Sequence, residues 1–141
     1  MLKTILSSLL ITGAAFAAVP PMNENMRASF ANSIFEGKVL KIETESVGSM
    51  RDEEFEDTHY YAKIQVTKVV KTDLVGRDMP KEVTATYWKV AQRPRGWTGS
   101  QGQNSKMKVG DKVRIYANRD DKMVFHVLQP NGWVDLSVSD L

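Results

Sequence analysis

Residues Tyr60 to Lys71 alternate with a period of two. Tyr60, Ala62, Ile64 and Val66 fall on one side, and Tyr61, Lys63, Gln65 and Thr67 on the other. A helix would scatter these side chains around its circumference, whereas a half-buried strand gathers each set on one face. A strand this long cannot stand alone, because one face is apolar and both edges carry unpaired backbone groups. The chain must supply partners, and four further segments read as strands. Phe35 to Glu43 is the first, with a bend at Gly37 and an alternation that slips between Val39 and Leu40, as at a bulge. Val83 to Val90 sets Val83, Ala85 and Tyr87 against Thr84, Thr86 and Trp88. Lys112 to Asn118 groups Val113, Ile115 and Ala117, and Met123 to Gln129 follows after a tight turn at Arg119-Asp120-Asp121. Asn23 to Asn32 suits a short helix with Met26 and Phe30 on one face, and a turn at Asn131-Gly132 leads into a second short helix. Five strands with long first and third connections predict an all-β chain with minor helix: a five-stranded Greek-key barrel of the oligonucleotide/oligosaccharide-binding (OB) type.

The N-terminus carries a different pattern. Met1-Leu2-Lys3 is a basic start, Thr4 to Ala17 is mostly apolar, and Gly13-Ala14-Ala15-Phe16-Ala17 supplies small residues for signal cleavage. Ala15-x-Ala17 predicts residues 1–17 as a removed signal peptide with a cut before Ala18; Gly13-x-Ala15 offers a second cut before Phe16. The run is short for a bilayer of roughly 30 Å, and Pro20-Pro21 ends it. Residues 18–141 are then one exported domain, periplasmic or secreted, with no stable membrane insertion. Cleavage after Ala17 leaves 18 basic residues against 17 acids. The charge is unevenly spread. Glu43, Glu45, Asp52, Glu53, Glu54, Glu56 and Asp57 face only Arg51, a net of −6, so the rest of the mature chain carries +7.

The chain has no cysteine, which excludes disulfides, zinc–thiolate sites, iron–sulfur clusters and thiol nucleophiles. His59 and His126 are its only histidines. His126, alternating with Val124 and Leu128, is expected to pack within its strand rather than bind metal. The acidic run Asp52-Glu53-Glu54-x-Glu56-Asp57 lacks the ligand spacing and glycine of a calcium loop and reads as a solvated hairpin tip. Gly96-x-x-Gly99-x-x-Gly102 lacks the Gly-Lys-Ser/Thr of a phosphate loop, and no nucleophile elbow or His-Glu-x-x-His is present. The expectation is a non-enzyme without a cofactor. Basic residues interleaved with Tyr60, Tyr61, Tyr87, Trp88 and Tyr116 would suit single-stranded nucleic acid, but export argues against that partner. Ala91 to Val109 is a long glycine-rich connector, and such segments are often functional. Within it Trp97, near Arg93 and Arg95, suits either a binding anchor or a lid over the barrel mouth.

Several passages, in order along residues 19–137, resemble the N-terminal, netrin-like inhibitory domain of the tissue inhibitors of metalloproteinases. They are Val19-Pro20-Pro21, Ser29-Phe30-Ala31-Asn32-Ser33, the strand Tyr60 to Lys71, Asp121 to Val127 with His126, and Trp133-x-x-Leu136-Ser137. The chain departs from that family in lacking its Cys-x-Cys start and every disulfide partner, with Ala31 standing where a cysteine would be. The resemblance implies inhibition of a zinc metalloprotease by the mature N-terminus. The α-amine and first carbonyl chelate the protease's zinc, and the second side chain enters the adjacent pocket. Here the chelating residue would be Ala18 and the pocket residue Val19, with Pro20 and Pro21 keeping the segment extended. Arg95 and Trp97 would add contacts from the connector. A cut before Phe16 would instead make Phe16 and Ala17 the terminal pair. In the family a disulfide ties this terminus to the connector; no bridge can do so here. Two readings stay open: an exported inhibitor-like protein, or a non-inhibitory periplasmic or extracellular OB-fold binding module.

Overall fold

A computed structural model describes residues 20–48, 55–96 and 101–139. The expected signal peptide, with Phe16, Ala17, Ala18 and Val19, and the connector residue Trp97 lie outside the described residues, as do Asp52, Glu53 and Glu54 of the acidic run. The elements follow as α1 (Glu24–Phe30), β1 (Ser33–Gly48), β2 (Glu56–Lys71), β3 (Glu82–Gln92), β4 (Lys112–Arg119), β5 (Val124–Val127), β6 (Trp133–Asp135) and α2 (Leu136–Ser139).

The strands close on themselves in the order β1-β2-β3-β5-β4, with β4 returning to β1 and β6 added beside β4. All pairings are antiparallel except β3–β5. This is the predicted five-stranded OB-like barrel with one extra short strand. Closure depends on β1, which pairs along its length with β2 and through Ser33 to Lys38 with β4. A straight strand cannot serve two neighbours around a barrel corner, and β1 bends by register shifts at Ile34/Phe35, Glu36/Gly37 and Val39/Lys41. The last is the slip visible in the sequence. At Gly37 a Cβ would run into the Gln65 carbonyl, so only glycine lets β1 pass so close to β2 there.

Ala62 and Ile64 of β2, Val83, Ala85 and Tyr87 of β3, and Val113, Ile115 and Ala117 of β4 point into the barrel as the alternation requires. Phe35 and Phe125 meet edge to face at its centre, with centroids 5.2 Å apart. One expectation is corrected in detail. His126 does not pack inward; the buried residues of β5 are Phe125 and Val127, and His126 projects from the outer face. Met26 and Phe30 on α1 are 42% and 58% exposed, while Ala28 of the same helix packs against Ala31, Ile34 and Tyr116.

The Asn131-Gly132 turn leads first into β6 and only then into the single helical turn α2. This strand sets Trp133 opposite Ile115 and partly buries it against the core, with its indole N–H 3.4 Å from the Ser105 carbonyl. Trp133→Ala is expected to cost about 3 kcal/mol, the low end for aromatic deletions because the ring is partly exposed. A denaturant melt shifted by less than about 0.5 kcal/mol would place the ring in solvent.

Candidate functional site

Pro20 and Pro21 are exposed, and the segment becomes fixed at Met22. The Met22 N–H donates to Asn131 Oδ1 at 2.9 Å, and Asn131 Nδ2 donates back to the Met22 carbonyl at 2.9 Å. One side-chain amide thus mimics a neighbouring strand. Asn23 caps α1 by accepting from the Met26 N–H, which ends the extended segment and starts the helix. Seven residues of helix are not stable alone. α1 is anchored by Glu24, whose two carboxylate oxygens lie 2.6 Å from the buried Tyr116 hydroxyl, and by Arg27, which donates to the Asn131 carbonyl and stacks over the Tyr116 ring. Burial and the bond to Glu24 hold the Tyr116 phenol above its ordinary pKa. Arg114, beside the Tyr116 hydroxyl and twice bonded to Glu36, is held more basic than usual.

The connector is ordered in its second half by equally local means. Residues 101–103 return antiparallel to the end of β3: Val90 N–H donates to the Gln101 carbonyl, and Gln103 N–H to the Trp88 carbonyl. Lys89 Nζ donates to the carbonyls of Gln103 and Asn104, each at 3.0 Å. The connector then reaches the turn after β5, where Asn104 N–H donates to the Pro130 carbonyl and Gln103 Nε2 to the Leu128 carbonyl. The Met107 N–H closes the run on the buried Tyr87 hydroxyl at 2.7 Å. Burial pushes that phenol up to about 12.

Two remote segments therefore meet on one turn, residues 128–131. The N-terminal segment takes hold of Asn131, and the connector takes hold of Leu128 and Pro130. The chain matches no protein-family model, and no curated protein matches it.

Of the residues expected at the site, Pro20 and Pro21 lie next to this meeting point. Arg95 does not join the described clamp. It is exposed in the turn that follows Arg93, near the first half of the connector. That half is fastened elsewhere, by the Arg93–Asp57 ion pair, a bond from Arg93 to the Glu56 carbonyl, and the Arg93 guanidinium over the Phe55 ring. Sequence reasoning missed Met22, Gln103, Asn104 and the clamping role of Asn131. The one visible signal was Asn131-Gly132, read only as a turn.

Away from this edge, His59, Tyr61, Thr86, Trp88 and His126 line a shallow groove of about 250 Å³ on the outer face of β2, β3 and β5. His126 Nε2 lies 2.9 Å from Asp120 Oδ2. Among the described residues no group of three or more His, Asp or Glu side chains converges as a metal site. No helix among them is long and apolar enough to cross a membrane.

Asp120 also accepts from the Lys122 and Val124 N–H groups, which closes the β4–β5 turn. His126 and these backbone donors hold its carboxyl down at about 2. Because the folded value lies below the unfolded one, the turn's support is complete above about pH 4 and fades as pH falls towards 2. A carboxyl titration by NMR should find the Asp120 midpoint near 2, and His126→Ala should raise it. An ordinary midpoint in the native chain would show that these contacts do not form in solution.

Proposed function

We propose that the chain is an exported, inhibitor-type binding protein that caps the catalytic zinc of a metalloprotease with its mature N-terminus. The supporting observation is the convergence of Met22 and Asn104 on the turn 128–131. An inhibitor of this kind needs its terminus held beside the connector, and the hydrogen-bonded turn supplies the link that cysteines supply in the family it resembles. Ala18 is four residues before the anchored Met22, so its amine stays within about 14 Å of a fixed point. An unprotonated α-amine and the adjacent carbonyl form a five-membered chelate suited to an open position on the protease's zinc. Val19 fills the neighbouring pocket, Pro20 and Pro21 lower the entropy lost on binding, and Arg95 and Trp97 contact the rim. A terminus at Phe16 keeps the same logic with Phe16 and Ala17 as the leading pair.

Intact-mass measurement of the exported protein, followed by inhibition assays against a panel of zinc metalloproteases, tests this directly. A mature terminus at Ala18 or Phe16 with inhibition is the expected result. A retained leader, or no inhibition by a correctly processed chain, overturns it.

The second reading, a non-inhibitory binding module, is favoured by the groove that holds both histidines with Tyr61 and Trp88. It lies on the barrel face that OB folds use for extended ligands. Tyr61→Ala combined with His59→Ala should leave inhibition unchanged if the N-terminal edge is the site.

A further inference from the structure

The outer face of β1 breaks a rule of strand pairing twice. Lys38 stands directly opposite Lys112 of β4, and Lys41 directly opposite Lys63 of β2. Like charges in register destabilise a sheet, and alternation with acids would remove the cost. All four are exposed. Lys41 and Lys63 reach acids only at 3.8 and 4.0 Å, in solvent-exposed pairs that contribute little. Lys38 and Lys112 form no ion pair among the described residues. The nearby acid Glu36 is already bonded to Arg114.

Lys38 and Lys112 border a groove of about 630 Å³, also lined by Gln65, Thr67, Arg114 and the Glu36 that Arg114 pairs with, while Lys41 and Lys63 flank it outside its lining. Strand spacing puts the four lysine Cα atoms within about 10 Å by 10 Å, comparable with the screening length in physiological salt, so their charges add on this face. We propose that this face is a docking site for a linear anionic polysaccharide, one bearing sulfates or carboxylates on successive sugars.

The surroundings choose this occupant over other polyanions. Single-stranded nucleic acid is held by stacking on aromatic rings, and among the described residues no aromatic side chain lines the groove. An acidic peptide gains most of its affinity by adding a strand to a free edge. β1 is hydrogen-bonded on both sides at residues 36–38, so no edge is offered there. A charged glycan needs neither: lysine heads meet its anions, and the Gln65 amide and Thr67 hydroxyl suit its hydroxyl groups. The proposal does not rest on protease inhibition, because none of these residues belongs to the N-terminal edge.

The test is binding of the exported protein to dextran sulfate, with neutral dextran, polyglutamate and duplex DNA as competitors. Affinity should fall steeply with salt. Lys38→Glu with Lys112→Glu should weaken it about tenfold or more, whereas Lys106→Glu with Lys122→Glu, of equal net charge, should change it less than about twofold. Should the first pair perturb folding by circular dichroism, Lys38→Gln with Lys112→Gln should show the same order of effect. Equal losses from the two glutamate pairs, or no binding of dextran sulfate, would overturn the site. Tighter binding of polyglutamate or duplex DNA would overturn the choice of partner. A protein blocked at its N-terminus should bind as well as the native one.

Discussion

One residue added ahead of the mature α-amine is expected to weaken inhibition about a hundredfold, equivalent to about 2.7 kcal/mol of binding. The addition turns the amine into an amide, whose nitrogen has no free lone pair, and moves the new amine about 3.5 Å further along the chain. Zinc–nitrogen bonds near 2.0–2.1 Å do not stretch to meet it. Acetylation removes the lone pair without adding a residue and should give a loss of the same order. The inhibition of the native protein should strengthen as pH rises from 6 to 8. Metal and proton compete for an amine whose ordinary pKa is near 8. Val19→Gly should cost about tenfold, the value of one β-branched side chain withdrawn from a pocket. Equal inhibition by native, extended and acetylated forms would remove the zinc-capping mechanism and leave the binding module.

The barrel was legible because its signals are local. The inward set Ala62, Ile64, Val83, Ala85, Val113, Ile115 and Ala117 follows from period-two patterning, and the break at Val39-Leu40 marked the bulge that lets β1 turn. What escaped were hydrogen bonds between residues distant in sequence. Met22 and Asn131 are 109 positions apart, and Glu24 and Tyr116 are 92 apart. Nothing in the composition of either segment points to the other. The same blindness applies to α1. Met26 and Phe30 share one face as the spacing implied, and the contacts of Glu24 with Tyr116 and of Arg27 with Asn131 were not visible in that spacing. The acids of 43–57 showed the charge asymmetry, but opposed lysines become visible only when β1 is set in register with β2 and β4.

The hydrogen-bonded clamp yields the second large effect, at Gly102. This glycine has φ +77 and sits opposite Lys89, where a Cβ would run into the Trp88 carbonyl and the edge of its ring. Gly102→Val is expected to cost about 3 kcal/mol or more, from left-handed strain and from the enforced contact together. The strain could relax only by lifting residues 101–104 from β3. That would break the bonds from Val90 to Gln101 and from Gln103 to Trp88, and loosen Asn104 from Pro130. Gly96→Val and Gly110→Val serve as controls. Both glycines have positive φ, yet among the described residues, their chain neighbours aside, no atom lies within 4 Å of the added Cβ. They should lose only the conformational part, about 1–2 kcal/mol. Denaturant melts measure the difference, and hydrogen exchange at the Val90 and Gln103 amides should show the connector opening before the barrel. A variant with this connector released should also inhibit less well, although its mature terminus is unchanged, because the two segments share one turn. If Gly102→Val proves no more costly than Gly96→Val, the connector is not held against β3, and the proposed link between connector and N-terminus fails with it.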